Sequence, residues 1–237
     1  MLLLWALGWG STAAYGQAAQ RDNGSGGKPD PVRVLKQQAE GGDVKAQLQL
    51  GNLYALGAAT PRNLPEAAKW FRKAAEQGNG EGETKLAMML EGGFGVGRDP
   101  QEAMSWFAKA ALQGNTAAQL RLASAYEMGR NVEKNGGEAI KWYQMAAETG
   151  LASAQVRLGT IYREGLAEVP HDYGQAVKWF RKAAEQGDAN GQFQLGCMYE
   201  QGFGVPASQA DAIDWYHKAE KQGFAQARVA LHNLGVE

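Results

Sequence analysis

Tryptophan falls at Trp70, Trp106, Trp142, Trp179 and Trp215, a spacing of 36 residues that becomes 37 once, before Trp179. Each is followed by a second aromatic: Phe71, Phe107, Tyr143, Phe180, Tyr216. Four further series keep the same rhythm. Two are glycines: Gly57, Gly93, Gly129, Gly165, Gly202 and Gly78, Gly114, Gly150, Gly187, Gly223. One is leucine: Leu50, Leu86, Leu122, Leu158, Leu195, Leu231. One is tyrosine with a single leucine: Tyr54, Leu90, Tyr126, Tyr162, Tyr199. A fixed period of this length restricts the chain to architectures in which one supersecondary unit stacks on the next.

Each period reads as two helices. In the first, Ala46, Leu50, Leu53, Tyr54 and Gly57 fall on one helical face, and the closing glycine suits a left-handed C-cap. The second helix opens in one unit with Asp99-Pro100-Gln101-Glu102, which predicts an N-cap at Asp99, proline at the first helical position and a capping box completed by Glu102. Ser208 and Asp211 predict the same device further on. These helices are called A and B below. The units run over about 43–78, 79–114, 115–150, 151–187 and 188–223. Residues 31–42 resemble a degenerate helix B and residues 224–237 a lone helix A, so each end carries a half-unit cap. The expected fold is an all-α solenoid of about five helix-turn-helix repeats, about twelve helices in all, over 31–237. A Trp buried between helices predicts a loss of about 3–5 kcal/mol for Trp142→Ala.

The remaining composition limits function. Lys plus Arg number 24 against 25 Asp plus Glu, which argues against a nucleic-acid binder. The single cysteine, Cys197, excludes an internal disulfide and a Cys-rich zinc site. The first residues, Leu2 to Trp9, are apolar. Ala14 and Gly16 stand at the −3 and −1 places of a signal cleavage before Gln17, although no Lys or Arg precedes Arg21. The expectation is a signal peptide over 1–16, a Gly/Ser-rich linker over 17–30, and a periplasmic or secreted chain with no integral membrane span after cleavage. Ser25 and Lys28 match Ser-x-x-Lys but lie in that linker, and Asn23-Gly24-Ser25 is read as linker too. Gly93 to Gly97 lacks the Gly-Lys-Ser/Thr that a phosphate loop needs. No catalytic constellation and no cofactor site is expected.

The repeated pieces AQLQLGNLY (46–54), GFGVG (93–97), AVKWFRKAAEQG (176–187) and QLGCMYEQGFGV (194–205) resemble the Sel1-like repeat family. The resemblance spans 31–237 and implies a right-handed superhelix of helix pairs, close to tetratricopeptide arrays. It also implies a scaffold or adaptor that holds proteins together. A cysteine-rich branch of the family acts on β-lactams, but its cysteine pairs are missing here. Departures from the pattern are GAAT at 57–60, Glu83 in place of Gln, Leu90 in place of Tyr, and one inserted residue near Val169-Pro170-His171.

In tetratricopeptide-like stacks helix A lines the concave side. The helix A positions outside the apolar face form three sets. The first is Gln49, Lys85, Arg121, Arg157 and Gln194. The second is Asn52, Met88, Ser124, Thr160 and Cys197. The third is Leu56, Gly92, Met128, Glu164 and Gln201. The first set predicts a basic stripe of Lys85, Arg121 and Arg157 that clamps acidic groups of a peptide. Cys197 is either a buried structural cysteine or a partly exposed thiol in that groove. The functional expectation is a non-enzymatic scaffold of the bacterial cell envelope, binding a protein or peptide partner. The alternatives are a secreted virulence-type repeat factor and, less favoured, a penicillin-binding hydrolase on the same scaffold.

Overall fold

The structure is a computed structural model that describes residues 31–236 except Ala167. The expected signal segment and linker, 1–30, lie outside the described residues. The described residues form twelve helices. They are α1 (Pro31–Glu40), α2 (Val44–Leu56), α3 (Leu64–Glu76), α4 (Gly80–Gly92), α5 (Pro100–Leu112) and α6 (Thr116–Met128). Then come α7 (Gly136–Glu148), α8 (Ala152–Glu164), α9 (Tyr173–Glu185), α10 (Ala189–Gln201), α11 (Gln209–Glu220) and α12 (Ala225–Asn233). The even-numbered helices are A helices; each odd-numbered one from α3 is the B helix of its repeat. The chain divides into two compact units, Met1–Ala118 and Gln119–Glu237, with the division inside α6.

In the first unit α1 packs on α2, α2 on α3, α3 on α4 and α4 on α5. In the second the same succession runs from α7 to α12. The aromatic after each Trp explains why the A helices tolerate glycine. A Cβ on Gly51 would lie 2.6 Å from the Phe71 ring, and one on Gly159 or Gly196 would lie 2.6 Å from Phe180 or Tyr216. In these three repeats the ring lies against the bare backbone of its own repeat's helix A. Phe71, Phe107, Phe180 and Tyr216 are fully buried. The tryptophans fill the neighbouring space, and each carries a lysine on its outer ring face, from 3.6 Å at Lys218 over Trp215 to 5.4 Å at Lys141 over Trp142.

The recurring Gln of helix A is a buried stitch. The Gln47 amide donates to the Ala39 carbonyl at 3.1 Å and its oxygen accepts from Gln77 at 2.8 Å. Gln155 does the same with Ala147 and Gln186, and Gln192 with Ala184 and Gln222. Each Gln thereby joins the helix B before it to the helix B of its own repeat, and its polar atoms are satisfied inside the core. Glu83 takes the place of Gln in repeat 2. Its carboxylate accepts from Gln113 at 2.9 Å. Burial pushes its acid up from the ordinary carboxylate range, against the pull of Lys109 and of the Gln113 hydrogen bond.

The loops between helices A and B close on the tyrosine series. The N-cap N–H of helix B donates to the carbonyl of Tyr54, Leu90, Tyr126, Tyr162 or Tyr199 in every repeat, at 2.6–3.0 Å. That bond corrects one expectation. Asp99 caps α5 through Glu102 N–H at 2.9 Å, but no capping box forms, because the Asp99 N–H already belongs to Leu90. The Glu102 carboxylate turns instead to Arg72, 2.7 Å away on α3, and to the Trp106 indole N–H at 3.1 Å. Ser208 likewise accepts from Asp211 N–H while its own N–H goes to Tyr199. In the inserted loop Leu166 and Val169 pair as an isolated bridge, and Glu168 reaches back to accept from the Gly136 and Gly137 N–H groups at the start of α7. Its own backbone N–H first, and then those donors, hold its carboxyl below the usual range.

Candidate functional site

The candidate residues divide between the two units. In the first, Gln49 is exposed, Asn52 and Lys85 are half-buried, and Met88 is buried. The Asn52 side-chain oxygen is buried with no hydrogen-bond partner among the described residues. The Lys85 side chain is only 12% exposed. Its ammonium lies 3.6 Å from Glu81 one turn earlier and 5.7 Å from the Phe71 ring centre, and burial pushes its pKa down.

In the second unit, Arg121 and Arg157 are exposed residues, and Ser124, Thr160 and Gln194 are half-buried. Ser124 points along its own helix to the Met128 sulfur, and Thr160 bonds back to the Val156 carbonyl at 3.0 Å. Arg157 crosses from α8 to α6, where its guanidinium pairs with the carboxylate of Glu127; one of the two contacts is Nε to Oε2 at 3.3 Å. Glu127 is 7% exposed and also accepts the Tyr143 hydroxyl at 2.7 Å. Gln194 accepts from Arg163 on the preceding A helix.

The basic stripe therefore needs correction in charge. Lys85 and Arg157 already face a carboxylate of the chain itself. A count of positive charges along one face omits Glu81 of the same helix as Lys85 and the acids of the neighbouring repeat. Those acids sit five residues after the helix A leucine: Glu91, Glu127 and Glu200, with Ala55 and Arg163 in the other repeats. A signal for them exists. Where the residue after Trp is Tyr rather than Phe, this position is Glu: Tyr143 with Glu127, and Tyr216 with Glu200. The second pair forms in the same way, the Tyr216 hydroxyl donating to Glu200 at 2.5 Å. Glu91 beside Phe107 shows that the rule does not run backwards.

Cys197 is half-buried on α10, at the place Ser124 holds on α6. Its sulfur lies 3.4 Å from the Tyr216 hydroxyl oxygen, and burial pushes the thiol up. It lines a pocket of about 330 Å³ with α11 and α12. Among the described residues no group of His, Cys, Asp and Glu is arranged to hold a metal ion, and no helix is long and apolar enough to cross a membrane.

Comparison with known proteins bears on all of this. The Sel1 repeat profile matches five consecutive segments, 44–79, 80–115, 116–151, 152–188 and 189–224. A search of curated proteins finds no match. Among solved structures, a Sel1 repeat protein from Oxalobacter formigenes is 30% identical, with a TM-score of 0.73 over 81% of this chain and 79% of that one. The protein c5321, a protective antigen of uropathogenic Escherichia coli strains, is 31% identical, with a TM-score of 0.56 over 87% of this chain and 53% of that one. The helix pairs, the recurring Trp-aromatic and Gln-Gly positions and the five matched segments agree, and the chain belongs to the Sel1 repeat family.

Proposed function

We propose that this protein is an exported, non-enzymatic scaffold of a bacterial cell envelope, holding a protein or peptide segment against its helix A faces. Sel1 repeat proteins are in general protein-interaction scaffolds. One observation carries the reading to this chain. The positions that repeat are consumed in packing: Trp, the following aromatic, Gln and the small residues are mostly buried. The positions that change from repeat to repeat, Gln49, Arg121 and Arg157 among them, stay at the surface of the A helices. Exposed positions that change from repeat to repeat are what a recognition surface on a structural repeat requires, and the helix A set is the one this reading selects. Export is supported by the apolar segment over 1–16 and by the likeness to c5321, a protective antigen.

The test is site-specific photo-cross-linking in the native cell. A photoreactive residue at Gln49 or Arg121 should give a discrete adduct whose partner is identified by mass spectrometry. The same residue at Gln144, exposed on helix B, should not. Equal adducts from both faces, or none from helix A, would overturn the reading. Arg157→Glu is a poor probe of the surface, because it sets a second carboxylate against buried Glu127.

A further inference from the structure

Repeat 3 and repeat 5 contain the same cluster. In repeat 3 it comprises Ser124, Glu127 and Tyr143; in repeat 5 the corresponding residues are Cys197, Glu200 and Tyr216. In both, the buried tyrosine hydroxyl donates to the glutamate. The residue thirty positions after each glutamate differs. After Glu127 it is Arg157, whose guanidinium closes the cluster. After Glu200 it is Ala230, on the terminal helix α12, which has no side chain to reach across. Among the described residues Glu200 has no ion-pair partner; Arg228 on α12 pairs with Glu220 of α11 instead, and Arg163 on α8 is engaged by Gln194 and Glu164. The space that Arg157 fills in repeat 3 is here the open pocket, with Glu200 at its wall.

We infer that this terminal pocket receives an arginine side chain of a partner protein, whose guanidinium pairs with Glu200 as Arg157 pairs with Glu127. The lining suits that occupant along its whole length. Half-buried Phe193, its ring centre 5.5 Å from that of buried Tyr216, supplies an aromatic face for a planar cation. Val229, 60% exposed, and Ala230 offer apolar wall to the methylene stem. The volume, about 330 Å³, is at the low end of small-ligand pockets and ample for one side chain. Lysine fits less well, because a compact ammonium cannot stack flat on the Phe193 ring or pair in two-pronged fashion.

The inference deepens the scaffold reading and rests on it for the existence of a partner, but the pocket is tested alone. Cys197, the only cysteine, lines the pocket and reports its occupancy. Alkylation of the full chain by iodoacetamide is followed at about pH 9, which offsets the raised thiol pKa. The probe is N-acetyl-leucyl-arginine amide, and the control is its uncharged citrulline isostere. At about 10 mM the arginine probe should slow alkylation about fivefold, as saturable protection with a millimolar dissociation constant requires. The citrulline probe should not slow it. Glu200→Gln should abolish the protection. Ala230→Arg, which restores the arrangement of repeat 3, should slow alkylation with no probe present and leave the probe nothing to add. Circular dichroism confirms that both variants fold. Protection by citrulline, protection that survives Glu200→Gln, or no protection by arginine would overturn the assignment. A failure here with helix A adducts intact would remove the pocket and leave the scaffold; the reverse would remove the scaffold surface and keep the pocket.

Discussion

Repeat 3 and repeat 5 bury the same tyrosine against the same glutamate, yet one cluster is closed and the other open. The difference lies in the next helix A, not in either repeat. Some positions are completed inside their own repeat, as Gly196 is by Tyr216. Others depend on what the following repeat sends across, as Glu127 depends on Arg157. Where the following helix A sends only a methyl, as at Ala230, a position of the second kind is left to face solvent or a partner.

The sharpest way to break this comparison is to strike the frame the two repeats share. Trp142 is 6% exposed and Trp215 is half-buried. Trp142→Ala should lose about 3–5 kcal/mol in denaturant or thermal melts, and Trp215→Ala clearly less. Equal losses would mean that the terminal repeat is as well covered as the inner one. Next comes the ring seat. Gly196→Ala forces a methyl into the Tyr216 ring and should lose about 1–3 kcal/mol. Ala123→Gly, at the same position in repeat 3, should lose only the helix-propensity difference of about 1 kcal/mol.

The glutamates themselves come third. Glu127→Gln removes one partner of a buried, charge-assisted cluster and should lose about 1–3 kcal/mol. Glu200→Gln should stay within about 0.5 kcal/mol of the parent, because the residue is exposed, no cation is lost, and the amide oxygen still accepts from the Tyr216 hydroxyl. Similar losses at both sites would mean that Glu200 has a hidden partner. The last comparison is at Glu83. Burial raises its acid in the folded chain, so the stability it contributes is present at low pH and is lost as pH rises through the folded value. Glu83→Gln should flatten that slope and gain about 1 kcal/mol near neutral pH, read from melts between about pH 4 and about pH 8.

The helices, their order and the repeat length were legible in the sequence, since Trp, Gly, Leu and Tyr recur in one register and each recurrence has a local cause. Asp99 could be read as an N-cap because capping is settled within one turn. The capping box at Glu102 could not be refuted from sequence, because Arg72, thirty residues earlier, claims the same carboxylate. The candidate face shows the same limit. A helical wheel places Lys85 and Arg157 outside the apolar arc; Glu81 faces Lys85 from one turn away on the same helix, but Glu127 meets Arg157 across helices, a contact that a single helix does not encode. The Tyr-Glu coincidence was present in the sequence, and it acquires meaning only once the two positions are seen to touch.

The buried glutamines also govern where these repeats can change length. Each amide reaches eight residues back to the carbonyl of the preceding helix B, an interval identical for Gln47, Gln155 and Gln192. The forward span to the glutamine at the end of its own helix B is 30 residues, and 31 in repeat 4, where the extra residue lies in the loop between A and B. One edge of each unit is thus a fixed gauge and the other an adjustable hem. Insertions that enlarge or decorate a repeat are accommodated at the A-to-B loop, while a single residue added to the B-to-A turn would pull the stitch out of the core.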